Sequence, residues 1–485
     1  MMRQYRIGAL AGAVAAVLAL AALAHSLLGE SKGASDENVD ASAYLSSTGA
    51  VPAAPQRPGD PAAGYRAMVD APYVSCGLPY RVYQRLSPQP DPDDLLPGRE
   101  GRNAELPYDL TAHVNANGLE IVSPNCLTCH ASHFEGELIV GLGNEFLDFT
   151  QDPRRAANEA GLYVRGDAET VAWQRWADRI EGIAPYIQTS TLGANPATNL
   201  TWALMAHRDP ETLAWSSTPL IEPPPTTPLP LSVPPWWRMQ KKNAMFYTTI
   251  GRGDHARFMI MASMLCADSV EEAEAADAYA PDMRAFIESL QPPDYPFPID
   301  APLAERGRAV FEASCSQCHG TYGKEASYPN LVIPLEVIGT DPDYARTATD
   351  GSLDRFYDWV TRSYYGESAD MSPTRGYIAP PLDGVWATAP YLHNGSVPDL
   401  RSLLASRLRP EFWRHRLHPR TYDPIILGWE YEQLQQGKSG VADIDAKALV
   451  YDTTLPGYGN VGHLFGDDLT DAERTAVIEY LKTLE

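Results

Sequence analysis

Two short segments of the chain place a pair of cysteines beside a histidine at a spacing that suits one chemistry. They are Cys126-Leu127-Thr128-Cys129-His130 and Cys315-Ser316-Gln317-Cys318-His319. In such a segment, the two thiols add to the vinyl groups of one haem and the histidine ligates its iron. The alternatives are a zinc half-site and a redox disulfide, but zinc needs four convergent ligands, which neither half offers. The sequence therefore predicts two covalent haems of c type.

A weak internal repeat predicts the elements that hold these segments. Gly118 precedes Cys126 by the same offset at which Gly307 precedes Cys315. Apolar segments, Phe286–Leu290 and Val477–Leu481, follow the two histidines at matching distances. Each half should open with a helix that carries a haem segment and close with an amphipathic helix packed against it, by resemblance to small cytochromes c. The expected fold class is mainly α, with two cytochrome c-like haem domains and long irregular insertions.

Composition divides the chain into four predicted segments. Residues 1–28 are a signal peptide or membrane anchor, and residues 29–64 are an Ala-, Ser- and Pro-rich flexible tether. The first cytochrome c-like domain, with its insertions, covers residues 65–298 and begins with an irregular arm. The second covers residues 299–485, and its last helix has a capping box of Thr470 and Glu473.

The N-terminus predicts export. Arg3 and Arg6 precede an uncharged run from Ile7 to Leu28, and Ala22-Leu23-Ala24 is a suitable cleavage site. The run is also long enough to stay as an anchor, in which case the protein would contact the inner membrane. Either outcome places the bulk of the chain in the periplasm or outside the cell.

The net charge limits the kinds of binding partner, and the two remaining cysteines bear on the redox compartment. The 485 residues carry a formal net charge of -24, which excludes nucleic acid as a partner, because phosphate backbones are bound by concentrated Lys and Arg. A basic redox partner, or simple solubility, fits this charge better. Cys76 and Cys266 remain outside the haem segments and form either a disulfide or two separate buried thiols.

The first half contains an insertion that ends in aromatic residues. Pro219–Pro235 holds eight prolines and leads into Trp236 and Trp237. It is either a polyproline II linker over the surface or a rigid strap. As a strap, it would place both tryptophans and the helix-like run Lys241–Leu265 over a haem face.

The sixth iron position decides what each haem can do, because a second strong ligand favours electron transfer and an open position permits binding of oxygen or peroxide. For the first haem, His255 in a glycine-containing loop is either a ligand or distal-pocket residue or a structural hydrogen-bonding group. Phe246 and Phe258 form either a distal wall or ordinary core. For the second haem, the candidate ligands are His463, which glycines flank, and, as alternatives, Met371 and His393.

The segment Ala379–Ser396 resembles the bacterial diheme cytochrome c peroxidase and MauG superfamily. The Gly462-His463 loop, the closing helix and the segment Lys241–Phe258 are most similar to its diheme rubber oxygenase branch. The resemblance implies an open first haem at His130 and a second haem closed by His319 and His463. It also implies a calcium ion between the haems, although the sequence has no compact carboxylate loop. Trp386 is either a bridge between the haems or a core residue.

These features predict an exported diheme c-type oxidoreductase of peroxidase or oxygenase type. The first haem would activate peroxide or dioxygen, and the second would relay electrons to or from a periplasmic partner. The organic substrate is not specified. The alternative is a diheme electron-transfer cytochrome without catalytic activity.

Overall fold

Helix and sheet both contribute to the fold, with 40% of the described residues in helices and 13% in strands. The computed structural model describes residues 49–87, 89–417 and 421–484. The expected mainly α class is therefore only partly right, because the sequence analysis did not anticipate the strands.

The α-helices and the strands follow one another along the chain. The helices are α1 (Pro61–Asp70), α2 (Tyr80–Leu86), α3 (Leu127–His130), α4 (Arg154–Gly161), α5 (Gly166–Ile187), α6 (Ala197–Ala206), α7 (His255–Met259), α8 (Val270–Asp277), α9 (Ala280–Ser289), α10 (Ala301–Ser314), α11 (Ser316–His319), α12 (Leu335–Ile338), α13 (Asp343–Thr347), α14 (Asp354–Arg362), α15 (Leu400–Leu403), α16 (Ile444–Ala448) and α17 (Asp471–Leu481). The strands are β1 (Leu78–Pro79), β2 (Leu110–Val114), β3 (Glu120–Pro124), β4 (Ala131–Phe134), β5 (Glu137–Val140), β6 (Gly251–Gly253), β7 (Val332–Pro334), β8 (Ala369–Met371), β9 (Gly376–Ile378), β10 (Phe412–His415), β11 (Tyr422–Asp423), β12 (Gly428–Trp429), β13 (Tyr431–Leu434) and β14 (Val450–Asp452). The strands form two three-stranded antiparallel sheets, ordered β1-β3-β2 and β13-β10-β14, and four two-stranded pairs.

In the second half, α10 and α17 cross at close contact. A Cβ atom at Gly307 would lie 1.8 Å from the carbonyl oxygen of Ala476, so only glycine permits this approach. The predicted capping box of Thr470 and Glu473 begins α17, and Val477 and the residues on its face are buried. The helix pair expected here is present.

The first half contains the equivalent pair, but its first helix is α1. A Cβ atom at Gly64 would lie 1.9 Å from the carbonyl oxygen of Asp282 in α9, which repeats the Gly307 arrangement. The helix expected at Gly118 is wrong: Gly118, with a φ of +77°, lies in the turn that joins β2 to β3.

The end of the predicted tether is wrong as well, because residues before α1 are held by both halves of the chain. Val51 donates its N–H to Asn330 and accepts from the side chain of Asn243. Arg57 pairs with Asp254 and Asp277. Residues 51–57 are therefore an ordered arm.

Contacts between the two halves are extensive. Trp202 of the first half stacks on Phe356 of the second at 5.6 Å, inside the largest hydrophobic cluster. The described residues from 49 onward belong to one compact unit, and the boundary predicted at residues 298 and 299 stays a prediction. Cys76 and Cys266 form a disulfide, which was one of the two alternatives.

The predicted signal peptide or anchor, residues 1–28, lies outside the described residues. Within the described ranges, none of the helices has both the length and the apolar composition that a bilayer crossing requires.

Candidate haem sites

Each haem segment folds into a single helical turn. The N–H of His130 donates to the carbonyl of Cys126 at 3.2 Å, and that of His319 donates to Cys315 at 3.1 Å. This places the first cysteine and the histidine of each segment one turn apart, on one face. The four cysteines of the two segments are free of disulfides and are therefore available for thioether bonds.

His319 faces the ring of His463. Their ring centroids are 6.3 Å apart. Two imidazoles that bind one metal from opposite sides, each through a bond of about 2.0 Å, stand roughly 6 Å apart between centroids. The two rings are therefore spaced for a shared iron, and they fit a haem held between them.

A strained loop positions His463. Both Gly462 and His463 have left-handed backbone conformations, with φ of +74° and +47°. A Cβ atom at residue 462 would lie 2.1 Å from the carbonyl carbon of Gly339, so glycine is required. Arg409 donates to the carbonyls of Gly462 at 2.7 Å and His463 at 3.2 Å. Strained backbone of this kind is concentrated at functional sites.

Hydrogen bonding selects the ligand nitrogen of His319. Its Nδ1 lies 2.8 Å from the carbonyl of Pro380, and since a carbonyl only accepts, Nδ1 carries the proton and Nε2 is left for iron. Burial lowers the pKa of His319, and it lowers the pKa of His463 to about 3. Both rings are therefore neutral at neutral pH, which is the form that binds a metal.

The two alternative ligands lie in other surroundings. Met371 is in β8, opposite Gly251 of β6. His393 is stacked on Tyr377 with ring centroids 4.1 Å apart. The ring that faces His319 is thus that of His463.

His130 has an aromatic neighbour in place of a second histidine. Trp236 stacks on its ring at a centroid distance of 4.6 Å and an angle of 20°. Gly141 joins the two, because it donates to the carbonyl of His130 and accepts from the N–H of Trp236, each at 2.8 Å. Within the described part of the chain, no other histidine ring is in contact with that of His130.

Burial also sets the protonation of His130. It lowers the pKa of the ring to about 4, and the nearby carbonyl of Pro234, which is outside hydrogen-bonding geometry, opposes this shift. The ring is therefore neutral and suited to iron.

The proline-rich segment, here called the strap, contacts both halves of the chain. Ser232 donates to the carbonyl of His393 at 2.8 Å, and Asn199 donates to that of Pro225. Trp237 is fully buried and donates its indole N–H to the carbonyl of Asp383 at 2.9 Å. The strap thus connects the surroundings of His130 to the loop that follows Pro380.

The helix-like run predicted from Lys241 to Leu265 is wrong in its middle. A 3-10 helix covers Trp236–Lys241, and a loop, β6 and α7 follow it. Phe246 and Thr249 have φ of +66° and +55°, which a helix cannot contain.

The three predicted distal residues of the first half lie in this loop and in α7. Phe246 is 39% exposed and meets Phe258 edge to face at 6.2 Å. Phe258 belongs to the cluster that contains Leu127, beside His130. His255 is buried, and burial lowers its pKa to about 4. None of the three is in hydrogen-bond or ring contact with His130.

The contacts of Trp386 are those of a core residue. It is 1% exposed and meets Phe134 and Tyr295 edge to face, at 5.1 and 5.2 Å. The tryptophan that touches a candidate iron ligand is Trp236. The sequence analysis did not assign the contact between Trp236 and His130. In the sequence, the only signal for this contact was the Trp236-Trp237 pair that follows the prolines.

A small cavity between the halves contains one of the carboxylates that the implied calcium would need. Its volume of about 20 Å³ admits about one water or ion. Glu145 supplies one carboxylate, and Thr388, Ala389 and Pro390 line the same cavity. Calcium usually takes six to eight oxygens, and no group of three or more acidic, His or Cys ligands is found in the described ranges. These residues do not specify calcium by themselves.

Comparison with known proteins identifies one segment of the chain. Residues 376–414, from β9 to β10, match a family model described as RoxA-like, cytochrome c-like. A domain of this kind implies covalently bound haem c and a haem-binding oxidoreductase.

Two uncharacterized proteins of Sinorhizobium fredii are also similar to parts of this chain. The protein y4iM is 32% identical over 237 residues, which are 41% of this chain and 52% of the relative. The protein y4iJ is 31% identical over 292 residues, 46% of this chain and 47% of the relative. The chain therefore spans about half the length of the curated relatives it matches.

Proposed function

We propose that the chain is an exported diheme c-type oxidoreductase of peroxidase or oxygenase type. His130 would hold a haem with an open position for peroxide or dioxygen, and His319 and His463 would hold an electron-relay haem. One observation carries the proposal. His463 faces His319 at 6.3 Å, whereas the described residues bring no second histidine ring against His130. Haem irons with two strong ligands transfer electrons, and those with an open position bind small oxidants.

The protein's own contribution is to fix the ligands. Trp236 holds the plane of His130, the carbonyl of Pro380 orients His319, and Arg409 fixes the backbone of His463. The haem supplies the redox chemistry when bound, and such contacts tune it.

The pocket for an organic substrate is proposed at Phe246, Phe258 and His255. An exposed phenylalanine over a buried one would form an apolar wall, and His255 adds a buried polar group. The periplasmic donor or acceptor would exchange electrons with the haem at His319.

Spectroscopy separates this proposal from a non-catalytic electron carrier. The oxidised protein should contain one high-spin and one low-spin haem, and CO should bind to one haem after reduction. Stopped-flow mixing with peroxide and with oxygen then identifies the oxidant. Two low-spin haems that ignore CO, cyanide, peroxide and oxygen would make the protein an electron carrier.

Two further parts of the proposal have their own tests. Export predicts a mature N-terminus after Ala24 in the periplasmic fraction, or an uncleaved N-terminus in the inner-membrane fraction. A calcium ion in the Glu145 cavity predicts a lower unfolding temperature after chelation, which added calcium restores.

A further inference from the structure

Four large apolar side chains are exposed around the loop that carries His463. They are Leu408, Val461, Leu464 and Phe465, here called the apolar patch, and each is between 41% and 57% exposed. Three of the four come from one short stretch, residues 461–465. Single exposed apolar residues are ordinary on a protein surface, whereas a cluster of them marks a surface that binds something.

Hydrogen bonds join the two segments that carry the patch. Arg409, directly after Leu408, donates to the carbonyl of Asn460 at 2.7 Å. Ser406 donates its N–H and its hydroxyl to the carboxylate of Asp467, at 2.7 and 2.6 Å. These bonds hold the two segments side by side, so the four apolar side chains belong to one surface.

Phe465 connects this surface to a candidate iron ligand. Its exposed ring meets the ring of His463 edge to face at 5.4 Å. The ring of His463 in turn faces that of His319 at 6.3 Å. A molecule seated on the patch would therefore be separated from the ligand of the proposed relay haem by a single aromatic ring. Such a short separation favours electron exchange, because the rate of electron transfer falls steeply with distance.

The exposed charge beside the patch is negative. The segment that follows the patch carries four exposed carboxylates, those of Asp467, Asp468, Asp471 and Glu473. Arg407 is exposed and pairs with Asp471 at 3.4 Å, whereas Arg409 and Arg474 direct their guanidinium groups to backbone carbonyls. The net charge of the whole chain is -24. A basic partner is therefore attracted to this side of the protein, and added salt weakens the attraction.

We propose that the apolar patch docks a small basic redox protein, which exchanges one electron with the haem held by His319 and His463. The partner would present an apolar face, surrounded by lysines, beside its own metal. Weak electron-transfer complexes bury small interfaces, so four side chains are enough for the apolar centre. One electron leaves the metal of one protein and enters that of the other, and neither a bond nor a proton is transferred. The inference rests on the relay haem of the proposed function, but not on an open position at His130.

Nuclear magnetic resonance tests the docking separately from electron transfer. The probe is a basic one-haem cytochrome c labelled with nitrogen-15, and both the probe and the holoprotein are kept oxidised. Amide resonances of the probe should broaden when the holoprotein is added at low salt. Leu464→Lys should weaken this binding about tenfold, because the variant loses an apolar contact and repels the basic probe.

Leu162→Lys is the matched control. Leu162 is 72% exposed directly after α4, in the first half, and its variant adds the same charge. Equal weakening in Leu162→Lys and Leu464→Lys would overturn the inference, and so would equal binding of an acidic one-haem cytochrome c. Should Leu464→Lys fail to fold, Leu408→Lys gives the result from the other segment of the patch.

Two further outcomes would assign the patch to another occupant and overturn the inference. One is a dimer in sedimentation experiments that Leu464→Lys dissociates, because the occupant would then be a second copy of the chain. The other is loss of the low-spin signal in Leu464→Lys, which would show that this side chain packs on the haem. The titration uses neither peroxide nor oxygen. A protein with two low-spin haems would therefore refute the open position in the proposed function and still report on the patch.

Discussion

His319 and His463 come from opposite ends of the second half, yet their ring centroids stand 6.3 Å apart. A backbone loop creates this relationship. Gly462 packs against the backbone at Gly339, and His463 donates its N–H to the carbonyl of Ile338 at 2.7 Å. The position of the His463 ring therefore depends on the backbone contacts that hold this loop.

Replacing His463 should open the second haem. His463→Ala removes the nitrogen that faces His319, so the low-spin signal of that haem should become high-spin while the first haem is unchanged. Electron paramagnetic resonance of the oxidised protein measures this. Met371→Ala and His393→Ala are the controls and should keep the low-spin signal. A low-spin signal that survives in His463→Ala and disappears in either control would reassign the ligand.

Trp236 should orient the proximal ligand of the first haem. An aromatic stack contributes about 0.5–1.5 kcal/mol, enough to favour one ring orientation. Trp236→Leu should therefore shift the iron–histidine stretching band of the reduced first haem, whereas Trp236→Phe should retain most of it. Trp202→Leu, which loses a stack on Phe356, is the control for general destabilisation. An unshifted band in Trp236→Leu would limit Trp236 to a packing role.

Asp268 should be the critical acid of the first half. It contacts Arg179 at 2.7 Å, Arg208 at 3.0 Å and Arg175 at 3.1 Å, and the side chain of Arg208 is fully buried. Asp268→Asn should cost about 3 kcal/mol of unfolding free energy, because it leaves buried charges unpaired. Asp152→Asn, which breaks a more exposed pair with Arg154, should cost about 0–1 kcal/mol. Equal losses in denaturant titrations would contradict this.

Wild type and Asp268→Asn should differ less in unfolding free energy at low pH. Burial alone would raise the pKa of Asp268, but the hydrogen bond of Arg179 and the neighbouring guanidinium charges lower it below 3.8. A carboxylate with a depressed pKa stabilises the fold fully above its unfolded value and loses this contribution as the pH falls through its folded value. The stability difference between wild type and Asp268→Asn should therefore shrink only below about pH 3.8.

Glycine should be required at both helix crossings. Gly64→Ala and Gly307→Ala would each drive a Cβ atom into a backbone carbonyl, so each should destabilise the protein by about 1–3 kcal/mol or more. Gly49→Ala is the control, because nothing lies within 4 Å of its Cβ position. Thermal unfolding of the three variants measures the effect. Tolerance of alanine at residue 64 would mean that α1 and α9 can separate without loss.

Local patterns in the sequence predicted local structure well. In the second half, α10 leads into the haem segment at Cys315, and the capping box of Thr470 and Glu473 begins α17, both as expected. These features depend on residues within one or two turns of one another. The hairpin at Gly118 was missed, although Asn117-Gly118 between two β-rich segments is a hairpin signal.

Features that depend on distant residues could not be read from spacing. Trp236 meets His130 only after the strap has crossed the fold. Helix α1 was divided between the predicted tether, which ended at residue 64, and the irregular arm that follows it, whereas its helical character is stabilised by packing on α9. Tertiary contacts supply the helix stability that intrinsic helix propensity alone does not.

The crossing of α1 and α9 also sets an order of assembly. A chain emerges from its N-terminus, so Cys126 and Cys129 appear long before Ser289 completes α9. Until then, α1 lacks its partner helix, so the helix pair of the first half cannot form around Cys126 and Cys129. The second half waits in the same way for α17. Closure of each half thus depends on the arrival of a distant helix, and the two proposed haems would have to be attached before that helix packs.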